Sequence, residues 1–330
     1  MTTSFSVRGS LWRRSQKKNF RDGEALADFL CLSPDQRKSF FPSKNFPLNL
    51  PFRLAEKIRK STLEDPILCQ FLPVAEENQK KEGFTEDPVG DLLSKKTEKL
   101  IHKYEGRALL LCSRACAMHC RYCFRKNLPR PKKEGDFFQK ELSMIAADPS
   151  IKEVILSGGD PLSLSNEALS DLIVSLDSIA HVKRLRFHSR FLIGIPERID
   201  DDFLEILENM RLRLFFVVHC NHFQELDEEV FLSIKKIQKI GTVLSQTVLL
   251  RRVNDDAYIL QTLFESLADH GIIPYYLHQL DRARGVQHFE VPEEKGRSLI
   301  KELAKRLPGY AVPNYVKEIA GKPGKSLILA

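Results

Sequence analysis

Residues 153–179 read EVILSGGDPLSLSNEALSDLIVSLDSI, an apolar run of strand length that ends in Gly-Gly-Asp and leads into an amphipathic helical stretch. The same strand-then-helix order recurs about six times. Strands are predicted at 108–112, 153–156, 182–188, 213–219, 243–249 and 274–280, and helices at 139–147, 165–179, 201–210, 228–239, 257–270 and 293–306. This repetition predicts an α/β fold with a parallel sheet, either curved into a partial (β/α)6 TIM-type barrel, the form we favour, or laid open as a doubly wound sheet.

Polar residues follow these predicted strands where ordinary turn residues would suffice. The first strand leads into a cysteine-rich loop, the second into Gly158-Gly159-Asp160 and the third into Ser189-Arg190, while Gln246 lies within the fifth. The carboxyl ends of parallel strands meet at one edge of a sheet or barrel, and ligands bind there. We therefore expect a single polar site that collects these residues.

The chain of 330 residues has 42% hydrophobic and 29% charged residues, a composition typical of a folded globular protein. No apolar run approaches the ~20 residues of a membrane-spanning helix, so we expect a soluble cytoplasmic protein with no membrane partner. The 51 Lys and Arg residues exceed the 44 Asp and Glu residues by seven, an excess that suits either anionic small molecules or nucleic acid.

We predict three parts: a helical N-terminal region and linker at 1–100, the barrel at 101–306, and a C-terminal segment at 307–330. Helical spacing at 24–31 and 52–60 supports the first part, whereas 74–91 is polar and weakly patterned. Residues 1–22 carry six basic residues before the first acid, which is typical of a solvated basic arm and also occurs in organelle transit peptides.

The strongest chemical motif is Cys116-x3-Cys120-x2-Cys123, directly after the first predicted strand. Three thiolates on a short loop can bind three irons of a 4Fe-4S cluster and leave the fourth iron open to another ligand. The alternatives are zinc, with Cys112 or His119 as the fourth ligand, and incidental buried cysteines. Structural zinc sites usually combine two separated ligand pairs, and no second pair is present.

The cysteine spacing with its aromatic Tyr122 resembles the radical S-adenosylmethionine (SAM) superfamily. Residues 101–127, IHKYEGRALLLCSRACAMHCRYCFRKN, resemble the lysine 2,3-aminomutase family, and the likeness continues through ILSGGDPL, RLRFHSR, HCNH, QTVLLRRVND, YYLHQLDRARGVQHF and GKPGKSL. It runs from about residue 40 to the C-terminus.

The resemblance implies three cofactors: a 4Fe-4S cluster, SAM and pyridoxal 5′-phosphate (PLP). It also implies that an external one-electron reductant is needed. The residues it assigns are Cys116, Cys120 and Cys123 to the cluster; Gly158, Gly159, Asp160, Ser189, Arg190 and Gln246 to SAM; Lys325 to the PLP aldimine; and Arg107, with Lys103 one helical turn earlier, to the PLP phosphate. For the substrate it assigns Arg125 to the carboxylate and Asp281, with Glu318 as a second candidate, to the distal ammonium.

The sequence departs from the free lysine mutases in two places. They have an aspartate seven residues before the PLP lysine, where this chain has Glu318, and the sequence stops at residue 330, five residues after Lys325. Both features resemble the compact branch that makes (R)-β-lysine for attachment to elongation factor P. An elongation factor P lysyl ligase is therefore an expected functional partner, although the product enantiomer and the oligomeric state stay open.

The resemblance implies an isomerase that moves the 2-amino group of L-lysine to carbon 3. The alternatives are an aminomutase for another amino acid, such as glutamate or arginine, and a zinc-stabilised nucleic-acid-binding protein. Asp281 argues against glutamate, because a carboxylate repels an acidic side chain. A nucleic-acid binder would leave the polar strand ends unexplained, and we expect no nucleic-acid partner.

Overall fold

The computed structural model describes residues 11–41, 46–128 and 138–329. In these residues nine strands form one sheet in sequence order: β1 (Leu100–Tyr104), β2 (Arg107–Ser113), β3 (Glu153–Gly158), β4 (Arg184–Ser189), β5 (Arg213–His219), β6 (Thr242–Val248), β7 (Ile273–His278), β8 (Asn314–Lys317) and β9 (Ser326–Leu327). Strands β2 to β8 are parallel, and β1 and β9 pair antiparallel at the two edges. Strands β2 to β7 are the six predicted strands.

The sheet curves until its two ends meet. Glu318, directly after β8, accepts a hydrogen bond from Lys103 Nζ of β1 at 2.6 Å, although the two residues are 215 positions apart in sequence. Within the described residues no backbone ladder joins β1 to β9. The fold is therefore a partial barrel closed by side chains, which confirms the curved alternative over the open sheet.

Helices alternate with the strands in the predicted order. The helices are α1 (Leu11–Lys17), α2 (Gly23–Phe29), α3 (Pro34–Arg37), α4 (Phe52–Glu56), α5 (Pro66–Phe71), α6 (Gln139–Ala147), α7 (Asn166–Ser178), α8 (Phe191–Gly194), α9 (Asp201–Glu208), α10 (Glu228–Gln238), α11 (Ala257–Asp269) and α12 (Glu293–Arg306). Ser165, Asp200, Asp227 and Asp256 cap α7, α9, α10 and α11 by accepting backbone N–H groups of the first turn. These caps explain why the helices begin where the apolar periodicity starts. Among the described residues we find no helix with the length and hydropathy needed to cross a membrane.

Side chains alternate between the two faces of the barrel strands. In β4, Leu185 and Phe187 pack under the helices, whereas Arg184, Arg186 and His188 line the interior. Most parallel strands are apolar on both faces. The polar interior face shows that the barrel encloses a ligand site and not a closed apolar core.

The strand β1 corrects one prediction. Lys103 lies in this strand and not in a helix, because Gly106, with φ of 74°, turns the chain back into the hairpin that joins β1 to β2. Tyr104 pairs with Arg107 across the hairpin. Lys103 and Arg107 therefore reach the same site from neighbouring strands.

The N-terminal helices share the core of the barrel. Trp12 of α1 is 2% exposed and packs edge-on against Phe191 of α8, with ring centroids 5.7 Å apart. Leu26, Leu54 and Phe71 belong to the same hydrophobic cluster as the barrel strands. The basic stretch at 1–22 falls partly outside the described residues, and the division of the chain into three parts stays a prediction.

Candidate active site

A cavity of about 710 Å³ opens at the carboxyl ends of the strands. Its walls come from the interior faces of β2 to β7, the cysteine-rich loop and the C-terminal segment. All of the site residues predicted from the sequence line it: Cys116, Cys120, Cys123, Gly158, Gly159, Asp160, Ser189, Arg190, Gln246, Arg107, Lys103, Arg125, Asp281, Glu318 and Lys325. The expectation of a single polar site is confirmed, whereas the role of each residue is not tested by this proximity alone.

The three cysteines of the loop, Cys116, Cys120 and Cys123, are called the loop thiols here, and all three are partly exposed to the cavity. Cys112 is buried on the opposite face of β2, and this burial raises the pKa of its thiol to about 12. Among the described residues no three His, Cys, Asp or Glu side chains lie close enough to share a single metal ion. Three thiols spread along a loop suit a 4Fe-4S cluster, in which each thiol binds a different iron.

Two buried cations of the cysteine-rich loop pair with one carboxylate, Glu77. Arg121, between two loop thiols, is fully buried and donates through Nε to Glu77 Oε1 at 2.7 Å and through Nη1 to the Phe46 carbonyl at 2.5 Å. Lys126 Nζ donates to Glu77 Oε2 at 2.7 Å. Glu77 therefore compensates the charges of both cations within the fold. Glu77 was missed because the sequence around it has no helical or strand periodicity.

The two glycines after β3 allow the chain to pack against the cysteine-rich loop. A Cβ on Gly159 would lie 2.2 Å from the Ala115 carbonyl oxygen, and Gly158 has φ of 121°. Gly159 N donates to the Ser113 carbonyl at 2.7 Å, and Asp160 N donates to the Ala115 carbonyl at 2.8 Å. The sequence suggested that these glycines make room for a ligand, and the structure adds that they make room for the neighbouring backbone.

Asp160 orders the next strand end. Its carboxylate accepts hydrogen bonds from Ser189 Oγ at 2.9 Å, Arg190 N at 2.8 Å and Leu162 N at 3.0 Å. Burial raises its pKa to about 6, against these hydrogen bonds, which lower it. Asp160 therefore links the ends of β3 and β4 beneath the cavity.

At the C-terminal side, Glu318 bridges two lysines. Its Oε2 accepts from Lys325 Nζ at 2.7 Å, its Oε1 accepts from Lys103 Nζ at 2.6 Å, and the Tyr104 hydroxyl also donates to Oε1. Burial alone would raise the pKa of Glu318, but Lys325 and the hydrogen bonds lower it to about 2. The Lys325 amine is thus held in the cavity by an ionised carboxylate.

Two further carboxylates lie in this half of the cavity. Burial raises the pKa of Asp281 to about 7, with Lys325 opposing the rise. Arg125, the predicted carboxylate-binding residue, donates to Asp91 Oδ2 at 2.9 Å and to Ser157 Oγ at 3.1 Å. Asp91 was missed because it lies in the weakly patterned stretch at 74–91.

Three histidines supply neutral ring nitrogens. Burial lowers the pKa values of His188 and His278 well below the usual range and lowers that of His219 to about 3. The Nε2 atoms of His188 and His278 are buried and have no hydrogen-bond partner among the described residues. These two nitrogens can still donate to, or accept from, a bound molecule.

Three thiols on one loop at the mouth of a partial barrel, in the same cavity as a lysine amine, indicate an iron–sulfur enzyme of the radical SAM type. Residues 104–193 match the family model described as a 4Fe-4S single cluster domain. The L-lysine 2,3-aminomutase of Haemophilus influenzae is 38% identical over 320 residues, which cover 96% of this chain and 95% of the relative. The Escherichia coli L-lysine 2,3-aminomutase is 40% identical over 286 residues, covering 86% of this chain and 83% of the relative.

The chain belongs to the L-lysine 2,3-aminomutase family. Among solved structures, the crystal structure of a radical SAM methyltransferase from Sphaerobacter thermophilus aligns with a TM-score of 0.46 and 15% identity, over 66% of this chain and 68% of that chain. That likeness is too slight to carry an argument.

Proposed function

We propose that this protein is an L-lysine 2,3-aminomutase, an isomerase that uses a 4Fe-4S cluster, SAM and PLP. The observation that carries the proposal is the Lys325 amine, held by Glu318 in the same cavity as the loop thiols. PLP requires a lysine amine for its attachment, and the 4Fe-4S cluster requires a set of thiols. This cavity contains both.

The residues present fit the three groups. The loop thiols would hold the cluster, the strand ends at Gly158, Ser189 and Gln246 would face SAM, and Lys325 with Arg107 would hold PLP. When bound, the cluster and SAM would supply a carbon radical that abstracts a hydrogen atom, and PLP would supply a conjugated π-system that stabilises the substrate radical while the amino nitrogen moves to the neighbouring carbon. The unpartnered nitrogens of His188 and His278 are further contacts available to a bound molecule.

The carboxylates account for the choice of lysine. Glu318 already binds an ammonium, that of Lys325, so its position suits a second alkylammonium. If PLP engages the Lys325 amine, Glu318 Oε2 would be available to accept from the distal ammonium of the substrate. Asp281, when ionised above its pKa of about 7, supplies a second negative charge in the same region, whereas an acidic substrate side chain would meet repulsion from both carboxylates.

Arg125 positions the other end of the substrate. Asp91 accepts from Nε of Arg125 and forms an ion pair with its Nη2, and Ser157 accepts from Nη1. The guanidinium is therefore held in a fixed plane at the edge of the cavity, where its remaining donors can meet an α-carboxylate.

Four finer assignments belong to the same proposal. We place the enzyme in the cytoplasm, where a reducing environment keeps the loop thiols reduced. An external one-electron reductant donates the electron that reduces the cluster. The product is (R)-β-lysine, and its consumer is the ligase that modifies elongation factor P. The support for this last pair is the resemblance to the compact branch, including Glu318 in place of aspartate.

The test is anaerobic purification with reconstitution of iron and sulfide, followed by incubation with SAM, PLP, a one-electron reductant and 13C-labelled L-lysine. NMR of the product should show β-lysine, and chiral chromatography should identify its enantiomer. Parallel incubations with L-glutamate and L-arginine should give no product. Turnover of either at a rate above that of lysine would refute the substrate assignment, and a colourless protein that takes up zinc but no iron would refute the reaction.

A further inference from the structure

The buried arginine at the end of β4 points toward the cysteine-rich loop. Arg190 Nη1 donates to Cys120 Sγ at 2.9 Å and to the Tyr122 hydroxyl at 2.5 Å. Its Nη2 donates to Gln70 Oε1 at 2.8 Å and to Glu225 Oε2 at 2.7 Å. Of its five N–H donors, only Nε lacks a partner in the described part of the chain, and that atom is buried. Both terminal nitrogens are therefore committed before any ligand binds.

A fully buried carboxylate compensates this arginine. Glu225 is 0% exposed, and its oxygens accept from Arg190 Nη2, from Gln70 Nε2 at 3.1 Å and from the backbone N–H groups of Asn221 at 3.2 Å and His222 at 3.1 Å. Four donors from three separate segments hold the carboxylate still. The guanidinium of Arg190 is consequently fixed in position between the Cys120 thiol and the Glu225 carboxylate.

We propose that the Arg190–Glu225 ion pair sets the reduction potential of the cluster bound by the loop thiols. The proposal rests on the proposed function, because it requires that a 4Fe-4S cluster occupies the loop. The step concerned is the uptake of one electron by the oxidised cluster from an external reductant, with no bond broken and no proton transferred. The reduced cluster carries one more negative charge than the oxidised cluster.

The signs of the two charges determine the direction in which Arg190 and Glu225 each shift the reduction potential. A hydrogen bond and a positive charge at a cluster sulfur stabilise the reduced form more than the oxidised form and so raise the potential. Glu225, 2.7 Å from the guanidinium, acts in the opposite direction and lowers it. Arg190 is thus a positioning and tuning residue that acts on the cluster through Cys120, in contrast to the SAM contact that the sequence resemblance implied.

The test is an anaerobic titration of the reconstituted enzyme with dithionite, followed by the EPR signal of the reduced cluster. Arg190→Gln removes the positive charge and should lower the potential. Glu225→Gln keeps the size and the acceptor oxygen but removes the negative charge, and should raise it. The double variant should lie between the two single variants. Opposite shifts from the two partners of one ion pair are not expected from general loosening of the fold.

Arg198→Gln is the matched control, since Arg198 is also fully buried but donates to the carbonyls of Leu162 and Leu164. It should destabilise the fold without moving the potential. If Arg190→Gln fails to take up iron, the potential of Arg190→Lys, which retains the charge, is measured instead. Its potential should still fall below that of the wild type, because Lys keeps the positive charge but lacks the planar guanidinium that donates to Cys120 Sγ.

Two results would overturn the proposal. One is that Arg190→Lys and Glu225→Gln both keep the wild-type potential while lysine turnover by the wild type is intact. The other is that Arg190→Lys weakens the Kd for SAM at an unchanged potential, which would return Arg190 to SAM binding. Failure of the proposed function would instead appear as a wild-type protein that holds a cluster and does not convert lysine.

Discussion

Replacing Glu318 with Gln should destabilise the PLP-free protein, because Glu318 joins the first and last parts of the barrel. Its carboxylate pairs with Lys103 and Lys325, and the side chains of Glu318 and Lys103 are only 8% and 9% exposed. The pKa of Glu318 falls from 4.5 to about 2 on folding, which corresponds to ~3 kcal/mol of stability. Gln keeps an acceptor for the Tyr104 hydroxyl, so we expect a loss of roughly 2–3 kcal/mol.

The contribution of Glu318 to the free energy of unfolding depends on pH with a defined sign. A carboxylate whose pKa is depressed on folding stabilises the folded state above its unfolded pKa, near 4.5, and loses that contribution as the pH falls toward 2. The difference in stability between the wild type and Glu318→Gln should therefore be constant from pH 8 to about pH 5 and shrink below about pH 4.5.

Urea unfolding of the PLP-free chain, followed by circular dichroism, measures both effects. Glu293→Gln is the matched control, since the Lys317–Glu293 distance of 2.6 Å is close to the 2.7 Å of Lys325–Glu318. The side chains of the control pair are 37% and 24% exposed, so their ion pair is worth at most ~1 kcal/mol. If Glu318→Gln loses no more stability than Glu293→Gln, the ion pairs of Glu318 do not hold the barrel closed and our reasoning is wrong.

Three further outcomes are expected. Replacing any loop thiol with Ala should abolish iron loading and SAM cleavage, whereas Cys112→Ala should retain both; equal loss in Cys112→Ala would indicate a four-cysteine site. Borohydride reduction and peptide mapping of the PLP-loaded protein should label Lys325, and a label on Lys322 would refute the assignment. Asp281→Asn should lower kcat/KM for lysine roughly ten- to a thousandfold. Because the pKa of Asp281 in the empty site is about 7, its carboxylate ionises and attracts an ammonium as the pH rises, so wild-type lysine affinity should increase from pH 6 to 8 and Asp281→Asn should abolish this increase.

The strands and helices of the barrel were predictable because they follow from local patterns. The alternation Arg-Leu-Arg-Phe-His at 184–188 repeats every second residue, and this period can be read within the strand itself. The loop thiols were predictable for a similar reason, since they lie within eight consecutive residues. The parallel order of the strands then placed their carboxyl ends, and the polar residues there, around one cavity.

The tertiary structure alone decided which charged groups meet. The sequence described Lys103 as one helical turn before Arg107 and left 74–91 as a linker. In the structure Lys103 lies in β1, 2.6 Å from Glu318, and Asp91 accepts a hydrogen bond from Arg125. The guanidinium of Arg190 reaches Cys120, 70 residues away, and the buried Glu225, and neither partner could be read from the sequence. Local periodicity records which face of a strand or helix a residue occupies. It does not record which distant segment covers that face, and the partners of buried charges are set by that packing.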